Sequence, residues 1–197
     1  MAPLRIGLTG GLAAGKSTVG RWLEEAGIPV MDADRVVAEL YEAGAPGAVE
    51  VQELFGDDLL LEDGSVNRAR LADLIFSDRQ ARDRLEAAIH PMVRRRFEDF
   101  AASQTVAVLE ATLLVESGLH TDCDRVISVE ADPALRRQRA IGRGMDEQEA
   151  QRRLDAQGSG ELRRAAADHI LWNDGSVDQL RHRVDELVLE LTRGSEL

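Results

Sequence analysis

Leu4-Arg5-Ile6-Gly7-Leu8-Thr9-Gly10-Gly11-Leu12-Ala13-Ala14-Gly15-Lys16-Ser17-Thr18 is the stretch on which the fold turns. Its first six residues form a mostly apolar run of strand length. Two glycines follow, and the apolar residues beyond them, Val19, Trp22, Leu23 and Ala26, recur at helical spacing. The order is strand, loop, helix. The loop fits the pattern G-x-x-x-x-G-K-S/T, whose glycines let successive backbone N–H groups converge on phosphates at a helix N-terminus. By position, Ala13, Ala14, Gly15, Lys16, Ser17 and Thr18 line the nest. Lys16 reaches the β- and γ-phosphate oxygens, Ser17 offers its hydroxyl to Mg²⁺, and Thr18 adds a donor. A glycine turn that only caps a helix is the competing reading, and the flanking strand and helix speak against it. Lys16 is also the only lysine among 24 Lys and Arg residues. A compact ammonium fits inside a phosphate nest where a planar guanidinium does not.

Outward from the loop, Gly27 stops the helix and Ile28 to Met31 form a second short strand. Asp32-Ala33-Asp34 ends that strand, with a helix beginning near Arg35. Residues 45–100 show helical spacing over Ala48 to Phe55, Arg68 to Phe76 and Asp78 to Ala102, with a turn at Glu62-Asp63-Gly64-Ser65 and no strand. Strands return at Thr105 to Leu109, Arg125 to Val129 and, more weakly, Ile170 to Trp172. Alternating strands and helices predict an α/β fold around a parallel sheet, with a helical insertion over residues 45–102. The Arg-rich stretch 133–167, broken by Gly142, Gly144, Gly158 and Gly160, reads as a mobile lid. Val177 to Leu191 is an amphipathic helix that packs on the core. One core domain accounts for the whole chain.

Composition narrows the function. Of 197 residues, 44% are hydrophobic and 30% charged, the balance of a soluble globular protein. The net charge of -12 argues against a general nucleic-acid binder, which needs clustered Lys and Arg. The single cysteine, Cys123, excludes an internal disulfide and reads as a small hydrophobe, not a nucleophile. The N-terminal run resembles no signal peptide and nothing approaches the roughly 18 apolar residues of a membrane span, so a cytoplasmic location is expected, without membrane partners. Either a monomer or a small homo-oligomer is compatible with this composition.

A phosphate loop specifies a nucleotide, and kinase chemistry needs a base and charge-neutralising groups as well. Asp34 is the candidate base: it lies at the carboxyl end of the second strand, where open α/β sheets bind ligands, and could accept the proton of an attacking hydroxyl. Capping the next helix is the alternative, open to Asp32 or Asp34. Arg136, Arg137, Arg139 and Arg143 share a helical stretch, and Arg139 and Arg143, four apart on one face, are the better candidates to clamp a transferring phosphate.

Taken with Asp32-Ala33-Asp34, the loop resembles that of the dephospho-coenzyme A kinase family. Further elements fall in that family's order: Arg70-Leu71, Ile75-Phe76, Leu85-Glu86, His90-Pro91, Leu113-Leu114-Val115-Glu116, Gln157, Ala167-Asp168 and Asn173-Asp174-Gly175-Ser176. The resemblance covers nearly the whole chain. It implies a three-layer P-loop NTPase fold and transfer of the γ-phosphate of ATP to the ribose 3′-hydroxyl of dephospho-CoA, the last step of CoA biosynthesis, with Mg²⁺ as cofactor. It further implies that Asp34 is the base, that Lys16 and Arg139 act on the phosphates with Arg143, that Asp34, His90 and Leu114 meet the acceptor, and that residues 60–100 bind CoA. For His90, a structural or substrate-shaping role is favoured over acid-base work. Two departures stand out. Ala13 and Ala14 replace the Gly-Ser usual in the family's loop. Glu110, in Leu109-Glu110-Ala111-Thr112, stands where the family commonly has aspartate. Glu110 is read either as approaching the metal shell or the acceptor, or as a strand-end carboxylate facing water.

A kinase of nucleoside monophosphates or another small metabolite would share loop, lid and sheet. A regulatory GTPase is excluded more directly: its guanine-reading Asn-Lys-x-Asp needs a lysine, and the only one lies in the loop.

Overall fold

The structure, a computed structural model, describes residues 2–193. In chain order the strands and helices are β1 (Leu4–Gly10), α1 (Lys16–Glu25), β2 (Val30–Asp32), α2 (Ala33–Leu40), α3 (Pro46–Phe55), α4 (Arg68–Ser77), α5 (Arg79–Ala101), β3 (Val106–Glu110), β4 (Arg125–Glu130), α6 (Pro133–Gly142), α7 (Glu147–Ala156), α8 (Glu161–Ala166), β5 (His169–Trp172) and α9 (Val177–Arg193). The expected alternation is present, and no helix among the described residues is long and apolar enough to cross a membrane. The chain divides into two compact units, one of residues 1–31 with 100–197, the other of residues 32–99.

The first unit is built on a five-stranded sheet of order β2-β3-β1-β4-β5. β1 pairs in parallel with β3, from Leu4 opposite Val106 to Leu8 opposite Glu110, and with β4, from Ile6 opposite Arg125 to Gly10 opposite Val129. β4 pairs in parallel with β5, ending on Glu130 opposite Trp172. Because these strands run the same way, Gly10, Glu110, Glu130 and Trp172 all close on one edge of the sheet, the edge where ligands bind in such folds.

Strand alternation sends Ile6, Leu8, Val106, Val108, Ile127, Val129 and Leu171 to one face. There they join Val19, Trp22 and Leu23 of α1 and Leu180, Val184, Leu187 and Leu191 of α9 in a single buried core. Each large aliphatic side chain so buried contributes roughly 1.5–3 kcal/mol. The amphipathic reading of the C-terminal helix is thereby confirmed. On the opposite face, Ser128 and Glu130 of β4 meet α8. Ser128 Oγ donates to Glu130 Oε1 at 2.7 Å, and Arg163, fully buried, donates from Nε to the same oxygen at 3.4 Å and from Nη1 to Glu116 Oε1 at 3.1 Å. The stretch 133–167 resolves into three short helices. α6 and α7 part at Gly142 to Asp146, and α7 and α8 part at a turn holding Gly158 and Gly160, both with positive φ.

The second unit is helical, with one isolated antiparallel bridge, Leu60 to Val66, closing the turn read at Glu62 to Ser65. Asp63 shapes that turn by accepting from both the N–H and the hydroxyl of Ser65. α5 buries Ala81, Leu85, Ile89, Val93 and Phe97, a stripe at every fourth residue, and runs unbroken through Pro91. Burial pushes the Tyr41 phenol up to about 12 against the lowering effect of Arg68. The helix expected to begin near Arg35 begins instead at Ala33. Asp32 is its cap, accepting from the N–H groups of Asp34 (2.8 Å) and Arg35 (3.3 Å), so capping falls to Asp32 and not to Asp34.

Candidate active site

β1 delivers the chain into the loop, and α1 takes it away at Lys16. The loop folds on itself: Ala14 N–H donates to Gly11 O at 3.0 Å, and Thr18 and Val19 N–H reach Gly15 O at 3.0 and 3.1 Å. Gly15 adopts φ 112°, a conformation open to glycine, and a β-carbon there would lie 2.4 Å from Asn173 Nδ2. No side chain caps the first turn of α1, so its leading N–H groups and the positive end of its dipole face outward, which is how a helix N-terminus receives an anion. Ala13 holds φ 55°, the left-handed region that L residues seldom occupy. The usual glycine at this position therefore has a conformational reason, and Ala13 keeps the same conformation at a cost.

Around the loop the structure gathers more side chains than the motif names. Lys16 Nζ lies 2.6 Å from Glu110 Oε1, and Ser17 Oγ donates to the same oxygen at 3.1 Å. Glu110 is 7% exposed, which overturns the reading of a carboxylate facing water. It lies at the end of β3, beside β1, and its longer side chain reaches the lysine and serine of the loop. Asn173, just past β5, donates from Nδ2 to Ala14 O at 2.8 Å. Arg139 in turn donates from Nη2 to Asn173 O at 2.9 Å, and its Nη1 is buried with no hydrogen-bond partner among the described residues. A buried donor left open beside a phosphate loop suits an incoming oxyanion. Arg143 caps the end of α6 and is exposed. Arg137 pairs with Glu147. Arg136 is 3% exposed and bonds the loop's main chain through Leu12 O at 2.9 Å. Burial first, and Arg163 second, lower its pKa against the opposing effect of Glu130.

The remaining candidates belong to other segments of the chain. Asp34 is exposed in the first turn of α2. His90 is half-buried in α5, and that burial holds its imidazole below the ordinary value, with Glu86 opposing and Arg94 reinforcing the shift. Leu114, expected to meet the acceptor, is fully buried instead: its Cδ2 fills the space above Gly7, 2.5 Å from where a β-carbon would stand. Leu113, 54% exposed, is the leucine of that pair that faces solvent. Glu110, read from the sequence as approaching the metal shell, and Arg136, one of the four arginines of the helical stretch, contact the loop, as do Asn173 and Gln157, to which the sequence reading assigns no role. Their only signals were Glu110's place at the end of a strand and the order of the Gln157 and Asn173 elements.

A family profile described as dephospho-CoA kinase matches residues 4–179. The chain belongs to the dephospho-CoA kinase family. A dephospho-CoA kinase of Streptomyces avermitilis is 40% identical over 95% of this chain and 94% of its own. The crystal structure of TT1252 from Thermus thermophilus superposes with a TM-score of 0.84 at 32% identity, covering 97% of this chain and 99% of the other. A dephospho-CoA kinase from Campylobacter jejuni shares the fold, with a TM-score of 0.71 at 23% identity over 96% of this chain and 98% of its own. The α/β fold expected from the loop and the alternating strands is the one this family has.

Proposed function

We infer that the chain transfers the γ-phosphate of ATP to the ribose 3′-hydroxyl of dephospho-CoA, the last step of CoA biosynthesis. The observation that carries the reading is the loop of a family member with its ammonium, hydroxyl and open N–H groups all present. Lys16 and the first turn of α1 receive the β- and γ-phosphates. Arg139, with an open Nη1, neutralises charge on the transferring group, and Arg143, farther along α6, adds to the nucleotide contacts. Asp34 accepts the proton of the 3′-hydroxyl as its oxygen bonds to phosphorus. The bond from phosphorus to the β,γ-bridging oxygen breaks, and ADP leaves with that electron pair.

Ser17 Oγ and Glu110 Oε1, 3.1 Å apart, are hard oxygen donors of the kind Mg²⁺ takes alongside phosphate oxygens. When bound there, the ion would neutralise charge across the β- and γ-phosphates. His90, in α5, shapes the acceptor's surroundings. ATP and dephospho-CoA are then the small-molecule partners.

Asp34→Asn tests the assignment of the base. ATP affinity measured by calorimetry is expected to stay within two-fold, while kcat for phosphate transfer falls about 10²-fold or more. Transfer at the original rate would remove Asp34 from the chemistry.

A further inference from the structure

The peptide groups on both sides of Leu12 are held from outside the loop. Leu12 N–H donates to Gln157 Oε1 at 2.7 Å, and Leu12 O accepts from Arg136 Nε at 2.9 Å. Arg136 Nη2 donates to that same Gln157 oxygen at 2.7 Å, closing a triangle of loop, α6 and the end of α7. The guanidinium lies so close under the loop that a β-carbon on Gly11 would sit 2.2 Å from Nη2. Arg136 spans two acceptors with a planar fork, a geometry that a lysine cannot reproduce.

The consequence follows from the planarity of the peptide bond. In a trans peptide the carbonyl of one residue and the N–H of the next point in opposite directions. Arg136, by drawing Leu12 O toward α6, turns Ala13 N–H the other way, away from α6. Ala13 is also the residue at φ 55°, a conformation that persists only where its surroundings hold it. Its neighbour is fixed on both the N–H and the C=O side.

We propose that Arg136 and Gln157 are positioning residues that hold the Leu12–Ala13 peptide so that Ala13 N–H is aimed at the triphosphate before the nucleotide arrives. The same triangle ties the end of α7 to the loop. At the far side of the Gly158 to Gly160 turn, Arg163 ties α8 to Glu130 and Glu116. The proposal rests on the kinase reading only in taking ATP as the ligand.

The test measures ATP binding calorimetrically and steady-state kinetics on the full chain with Gln157→Leu, Arg136→Met and the double variant. Gln157→Leu removes the shared acceptor and leaves an apolar side chain one atom shorter. The ATP Kd is expected to rise about ten-fold in each single variant. The double variant should be no more than about three-fold worse than the poorer single one, because both act through one peptide. KM for dephospho-CoA should stay within two-fold, a split that general loosening of the fold would not produce. An unchanged ATP Kd in folded Gln157→Leu overturns the proposal, as does full multiplication of the two effects or a parallel rise in the acceptor's KM. If Arg136→Met does not fold, the Kd of Gln157→Leu decides alone. Failure of the unsubstituted chain to bind ATP would overturn both this proposal and the kinase reading, whereas binding that ignores the variants overturns the brace alone.

Discussion

Lys16 Nζ sits 2.6 Å from Glu110 Oε1, so the ammonium that a nucleotide must meet is already engaged by a buried carboxylate. Ser17 shares that oxygen. On the proposed reading, Glu110 competes with phosphate for Lys16 when no metal is present, and would hold the metal when one is. Glu110→Gln should move two quantities in opposite directions. ATP affinity in excess chelator should improve several-fold, because a competing negative charge is gone. The kcat with saturating Mg²⁺ and ATP should fall about ten-fold or more, because the metal loses an anionic ligand. Changes of the same sign in affinity and turnover would contradict this dual role.

Ala13 adopts a left-handed conformation that disfavours an L residue by roughly 1–2 kcal/mol. Glycine removes that cost and restores roughly 0.5–1 kcal/mol of unfolded-state entropy against folding. Ala13→Gly should therefore stabilise the chain by about 0.5 kcal/mol, read as a higher urea midpoint at constant slope. A lower midpoint would show that the methyl group makes contacts that outweigh its backbone strain.

Arg163 is fully buried against Glu130, itself 2% exposed. Replacing Arg163 leaves the buried Glu130 carboxylate only the longer contact to Arg164, at 4.0 Å, as a counter-charge, a loss near the lower end of the roughly 3–5 kcal/mol for breaking a buried pair. Arg163→Met should lower stability by about 3 kcal/mol in urea unfolding, and adding Glu130→Gln should recover part of the loss. A single variant within 0.5 kcal/mol of the original, about the scatter of surface substitutions, would mean that the pair adds nothing to the contact between α8 and β4.

Burial, with Asp122 and Asp124 adding to it against Arg5, pushes the Cys123 thiol up to about 12. The thiolate is the reactive form, so Cys123 should react slowly with Ellman's reagent at pH 8 in the folded chain and at an ordinary rate once denatured. Equal rates would indicate an accessible thiol.

Much of this architecture is legible in the residue order. The run from Leu4 to Gly10, the loop and α1 follow from apolar period and glycine placement, and the helices between residues 45 and 102 follow from their spacing. The boundaries are less legible for local reasons. Asp32 caps α2 two residues earlier than the apolar pattern suggests, and α5 passes through a proline because its buried stripe continues on either side. The site divides along another line. Lys16, Ser17 and Gly15 announce themselves by their spacing in one segment. Glu110, Asn173, Arg136 and Gln157 reach the loop from four other segments, and only the strand order, with β3 and β4 on either side of β1, brings them there. Helical spacing places Arg136, three residues before Arg139 and seven before Arg143, on the same face as both, but it cannot say that Arg136 is the one that touches the loop's backbone. Leu114 illustrates the same limit: which of two adjacent leucines turns inward depends on Gly7, more than a hundred residues away.

The acceptor is the central claim, and a phosphate-transfer assay on the purified chain with ATP and Mg²⁺ tests it most directly. Dephospho-CoA, AMP, CMP and adenosine are offered in parallel, and the product's phosphorylated position is read by phosphorus NMR. The account predicts rapid transfer to the 3′-hydroxyl of dephospho-CoA, with kcat/KM at least about 10²-fold above the other acceptors, a ratio within reach of differences in binding contacts. No turnover of dephospho-CoA, or faster turnover of a nucleoside monophosphate, would contradict it.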